Sequence, residues 1–179
     1  MTKFIYAGLL ACIGAIIIHI CVLFLTPYYA KNTLWTRLKK SGESYQFSDL
    51  DPNNPLQQSA DPLFLLKVCR FNLENGPVHL KSSNTTQFWS LAAYTHDGII
   101  FYSLNDRTAP NATLDLIIGK PIQIIELKQS KTKRNNNAIL VAKNLNEGFA
   151  ILRIFAPSSL AKKEGEVFLS SATCHIFNE

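Results

Sequence analysis

Apolar and polar positions are distributed unevenly along the chain: one unbroken apolar stretch at the start, a polar interval, then short apolar runs separated by turn residues. From Phe4 to Leu25 the chain reads FIYAGLLACIGAIIIHICVLFL, with His19 its only side chain able to ionise near neutrality. About 22 such residues at roughly 1.5 Å rise each suffice to cross about 30 Å of hydrocarbon. A cleaved secretory signal would have a shorter apolar stretch, followed by small residues at its cleavage site. Thr26-Pro27-Tyr28-Tyr29-Ala30 lacks that small-x-small pattern, so a retained anchor is expected. Tyr6 at one end and Tyr28, Tyr29 and Trp35 at the other suit the headgroup level, where amphipathic rings are favoured.

Asn32 to Lys40 predicts a short amphipathic continuation lying on the membrane surface, with Leu34, Trp35 and Leu38 on one side. From Ser41-Gly42 to Pro62, Asp-Pro, Asn-Pro and Gly signals without sustained periodicity predict an irregular connector. The chain therefore divides into an anchor at 1–26, a juxtamembrane segment and linker at 27–62, and a β-rich domain at 63–179.

Within that domain, short runs rich in Val, Ile, Phe and Tyr predict a mainly β, antiparallel fold of seven or eight strands. Predicted strands cover Leu63–Asn72, Pro77–Lys81, Gln87–Tyr94, Ile99–Leu104, Leu114–Ile118, Ile122–Lys128, Ala138–Lys143 and Phe149–Phe155. Glu74-Asn75-Gly76 and Thr95-His96-Asp97-Gly98 each predict a tight hairpin, because Asn-Gly and Asp-Gly supply positive φ. A short helix through Leu160–Lys163 is expected to be interrupted by Gly165.

The net charge of +5 changes this picture little. Basic residues cluster at the membrane boundary and from Lys128 to Arg134 rather than interleaving with aromatics, which argues against nucleic acid and for the lipid bilayer as partner. The run from Lys128 to Asn137 reads as a solvated hairpin loop. Orientation is contested. Lys31, Arg37, Lys39 and Lys40 follow the span against Lys3 before it, which by the positive-inside count leaves the domain cytoplasmic. Cysteine usage points the other way. Cys12 and Cys21 lie in the span, and Cys69 and Cys174 form one even pair outside it, either a disulfide in an oxidising compartment or two independent buried thiols. A bond between them would close a loop of about 105 residues.

Several pieces resemble a bacterial family known as domain of unknown function twelve fifty-four, in its short, N-terminally anchored inner-membrane members. These pieces are Ile18-His19-Ile20, Cys69-Arg70-Phe71 followed by Gly76-Pro77-Val78, Phe88-Trp89-Ser90-Leu91 and Asn105-Asp106-Arg107-Thr108. Leu114-Asp115-Leu116, Pro121-x-Gln123, the Gly148–Arg153 strand and Cys174 belong to the same likeness, which covers nearly the whole chain. The resemblance implies an antiparallel β-sandwich or jelly-roll-like fold, a periplasmic domain, and a companion small membrane protein of a sister family as partner. It implies no established reaction. It also implies a Cys69–Cys174 disulfide, which would set the first strand beside the C-terminal strand with Cα atoms within about 7 Å.

Candidate chemistry is sparse. Asn105-Asp106-Arg107 is the most polar cluster directly after an aromatic strand. Arg107 there is either a forked donor for a carboxylate or phosphate, held by Asp106, or part of a side-chain-capped turn. Trp89 is either a ligand platform or a core residue, since neighbours on a strand face opposite ways. His19, His79, His96 and His175 lack metal-ligand spacing, no familiar nucleophile motif is present, and no metal or cofactor is called for. In the span, Gly8, Cys12, Ala15 and His19 share one helix face, where small residues permit close approach of a second helix. That helix would belong to a second copy or to the companion protein. The reading that follows is a non-enzymatic binding or assembly module tethered outside the inner membrane. Its rival is a small envelope hydrolase or carbohydrate-active enzyme using the loop around Asn105, Asp106 and Arg107.

Overall fold

The structure is a computed structural model describing residues 2–40, 42–50, 55–58, 60–129 and 138–177. The apolar start forms a single helix, α1 (Thr2–Lys40), that passes through Pro27 without ending. Its Thr2–Tyr29 part is long and apolar enough to cross a membrane and is not covered by the rest of the chain. A one-turn helix, α2 (Pro55–Gln58), precedes the β region.

Two four-stranded sheets follow. Their strands are β1 (Phe64–Asn72), β2 (Val78–Ser82), β3 (Trp89–Thr95), β4 (Ile100–Asn105), β5 (Asp115–Gly119), β6 (Ile139–Ala142), β7 (Glu147–Phe155) and β8 (Ala172–Ile176). One sheet has the order β1-β7-β3-β4 and is antiparallel throughout; the other has the order β6-β5-β2-β8. The fold is thus mainly β, as the short apolar runs predict. Alternation explains the packing. Cys69 and Phe71 of β1, Leu80 of β2, Trp89, Leu91 and Ala93 of β3, Leu116 and Ile118 of β5, and Ala150, Leu152 and Ile154 of β7 turn into one shared core.

Three predicted elements of the β-rich domain differ from the observed ones. The segment predicted as a strand at Ile122–Lys128 is a helix, α3 (Pro121–Gln129). Pro121 sits in its first turn with its φ already suitable. Ile124 and Leu127, three residues apart, cover Ile117 on the outside of the second sheet. This helix carries the chain from β5 to β6 so that the two pair in parallel, the one parallel pair among the described strands. The second difference is at Glu74-Asn75-Gly76. β1 and β2 are not a hairpin, because Leu73 is fully buried and the turn crosses from one sheet to the other. The third is at Gly165, which does not interrupt its helix. The helix α4 (Ser159–Ser171) is continuous, and Gly165 lets it approach Leu65 and Ile154, where a Cβ would lie 3.0 Å and 3.2 Å from their side chains. Ser158 caps α4 by accepting from the Ala161 amide at 3.2 Å. The Thr95–Gly98 hairpin is observed as predicted, joining β3 to β4.

The polar interval is partly ordered along the edge of β1. Ser44 and Ser48 form bridges to Arg70 and Val68, and Phe47 and Leu50 are buried. The Tyr45 hydroxyl donates to the Asn72 carbonyl at 2.6 Å. This segment covers an edge that would otherwise leave backbone groups unpaired. The Asp51–Asn54 turn signals, the Ser130–Asn137 part of the basic run, and the side chains of Lys31, Leu34 and Lys40 lie outside the described residues.

Candidate functional site

The cysteine pair is bonded. Cys69 on β1 and Cys174 on β8 form a disulfide with Cα atoms 6.5 Å apart and a sequence separation of 105. β1 and β8 are edge strands of opposite sheets, so the crosslink closes one side of the sandwich rather than joining neighbours within a sheet. A bond of this kind persists in an oxidising compartment. Cys12 and Cys21 remain free and exposed on α1. Gly8, Ala15 and His19 are likewise exposed along the helix.

The far end of α1 is not a surface helix. Leu38 is 1% exposed and packs with Leu50, Val68 and Phe149 on the outer face of the first sheet. Trp35 joins them, its ring centroid 6.3 Å from that of Phe149 and 6.4 Å from that of His96. The Trp35 and Leu38 part of the stripe expected to lie on lipid is thus turned onto the sandwich itself.

Asn105, Asp106 and Arg107 form a turn held by its own side chains. The Asn105 Oδ1 accepts from the amides of Arg107 and Thr108 at 3.1 Å and 3.0 Å. The Asp106 Oδ2 accepts from the Phe88 amide at 2.9 Å. That bond steadies a residue with φ +56°, a conformation side chains rarely adopt, and the Phe88 ring is 55% exposed. Arg107 points into solvent. Trp89 belongs to the core: 1% exposed, stacked on Phe168 at 6.0 Å, its Nε1 donating to the Ala112 carbonyl at 3.1 Å. The loop and Trp89 therefore do not converge on one open surface.

A different polar cluster lies on the outside of the second sheet. In Val78–Ser82, alternation turns His79 and Lys81 outward, and register sets His79 beside His175 and Lys81 beside Asp115. The His79 Nε2 donates to the Asp115 Oδ1 at 2.7 Å, with both side chains largely buried. The rings of His175 and Phe177 stand 5.2 Å and 5.6 Å from His79. Partial burial holds the His175 imidazole below its ordinary range, and His79 and Lys81 push it the same way. The alternation in Val78–Ser82 was the available signal; the pairing of strands far apart in sequence was not readable. Among the described residues no group of three or more His, Cys, Asp or Glu side chains is arranged to hold a metal ion.

Because His175 resists protonation in the folded chain more than in the unfolded one, the unfolded state takes up the proton first as the pH falls. Its contribution to stability is present above the unfolded value and declines through and below it, about pH 6.5. Urea midpoints measured near pH 7.5 and near pH 5.5 should differ more for the native protein than for His175→Gln. An equal difference for both would show that His175 does not carry this dependence.

No protein-family model matches the chain, and comparison with curated proteins finds no match either. Among solved structures, the chain is similar to the VPA0106 protein from Vibrio parahaemolyticus, with a TM-score of 0.61 and 10% identity. That likeness covers 83% of this chain but 35% of the other, so the chain spans about a third of that neighbour's length. A putative uncharacterised protein from Burkholderia cenocepacia gives a TM-score of 0.46 at 11% identity, covering 73% of this chain and 33% of that one. At such identities the Vibrio structure speaks to the fold alone.

Proposed function

We propose that the protein is a binding or assembly module held by α1 on the periplasmic side of a bacterial inner membrane, as a short member of the family it resembles. The observation carrying this reading is the continuity of α1, from an apolar stretch of spanning length to a Leu38 buried against the first sheet. A tether of this build fixes the sandwich relative to the bilayer instead of letting it wander on a linker. The Cys69–Cys174 bond favours the oxidising side of the membrane over the side the flanking charges suggest.

The partner is a second membrane helix, of the companion protein or of another copy, meeting the face of Gly8, Cys12, Ala15 and His19. About ten residues of helix, roughly 15 Å, separate His19 from the tyrosines that follow the span, which leaves its polar ring within the hydrocarbon. A hydrogen bond across a helix interface relieves that cost. Crosslinking in membranes followed by recovery of the protein should yield a discrete membrane-protein partner or a dimer. His19→Leu should weaken that product while insertion is unchanged. An undiminished product after both His19→Leu and Gly8→Ile would remove this helix face from the partner surface.

A further inference from the structure

We infer that the β3–β4 end of the sandwich is a second membrane contact, which inserts Ile99 and Ile100 at the lipid headgroup level beside the span. The inference rests on the tethered reading above and adds to it a surface of the domain itself.

The direction of α1 across the first sheet identifies the end that faces the bilayer. Leu38 packs among Leu50, Val68 and Phe149, whereas Trp35, nearly one turn closer to the span, reaches Phe149 and His96. Moving along α1 toward the membrane is therefore moving along the sheet toward the β3–β4 turn. Trp35 lies six residues beyond Tyr29, about 9 Å of helix. From Tyr94, which stacks on Phe149 at 4.9 Å, β3 and its turn run on past His96, and two strand residues advance about 7 Å. The turn consequently extends past the level of Trp35 toward the tyrosines.

The turn presents apolar side chains on a stiff frame. The Thr95 amide donates to the Ile99 carbonyl and the Gly98 amide to the Thr95 carbonyl, each at 2.9 Å, with Gly98 at φ +81°. Ile99 and Ile100 are 58% and 57% exposed. A register shift opposite Ala93 and Tyr94 turns Phe101 and Tyr102 toward the core instead. At the same end, α3 begins just after β5 ends, and its Ile122 is 60% exposed. The Lys143 ammonium stands 5.9 Å over the Phe101 ring, so a cation flanks the apolar tip. Exposed branched aliphatics with a neighbouring cation are the side chains of a surface that enters the interface between headgroups and acyl chains.

The test uses the full chain with Cys12→Ala and Cys21→Ala, reconstituted in vesicles of phosphatidylethanolamine and phosphatidylglycerol. An environment-sensitive fluorophore is attached at Ile99→Cys or, at the opposite end of the sandwich, at the 66% exposed Leu160→Cys. The expected result is blue-shifted emission at position 99, quenched by a quencher carried on the lipid chains, with aqueous emission at position 160. Equal aqueous emission at both positions, in protein that stays with the vesicles after an alkaline wash, would overturn this inference and leave the tether intact. Protein washed off by alkali would overturn both.

Discussion

Replacing Cys69 and Cys174 together by alanine should lower the unfolding free energy by about 4 kcal/mol, within the range expected for a crosslink closing a loop of this length. The bond encloses 105 residues of sequence separation, so in the unfolded chain it removes a large part of the available conformations. It also ties the edge strands of two sheets that share no backbone hydrogen bonds at that side. Both sulfurs are buried, so part of the loss comes from the core contacts they make. Thermal melts of the native protein, the double variant and the native protein with reductant should show both of the last two well below the first, the double variant lowest, with a Tm lower on the order of 15 °C. A double variant as stable as the native protein would mean that the sandwich does not depend on this closure.

Leu38→Ala should cost about 2 to 4 kcal/mol, although the residue lies in the helix whose start is long and apolar enough to cross a membrane. Leu38 is the point where α1 is buried, against Leu50, Val68 and Phe149, and truncation leaves a void between the helix and the sheet. The exposed Leu160→Ala serves as the comparison, with an expected change within about 0.5 kcal/mol. Hydrogen exchange should rise in 42–50 and in the β1 amides that this segment covers, because its backbone bonds to Arg70 and Val68 follow directly from the docked helix end. If Leu38→Ala and Leu160→Ala behaved alike, α1 would be a flexible leash and not a fixed mount.

What the sequence made legible follows from local physics. The long apolar helix is readable because about 22 apolar residues in a row have few alternatives, and β3 and β4 are readable because Asp97-Gly98 fixes the turn between alternating runs. Ile122–Lys128 was not, since a short apolar run satisfies both periods, and only Ile117 beneath it decides for the helix. Leu38 and Trp35 were legible as an apolar stripe but not as a contact, because amphipathicity does not say whether lipid or protein covers it. The turn at Asn105 and Asp106 belongs to the readable part. The pairing of His79 with Asp115 and His175 does not, for it joins strands that meet only once the second sheet is assembled.

The proposed membrane-held sandwich, crosslinked in an oxidising space, is tested most directly by thiol labelling of the unreduced, denatured protein recovered from alkali-washed membranes. The account predicts that Cys12 and Cys21 label at once and that Cys69 and Cys174 label only after reduction. Labelling of all four without reductant, or loss of the protein from the washed membranes, would contradict it.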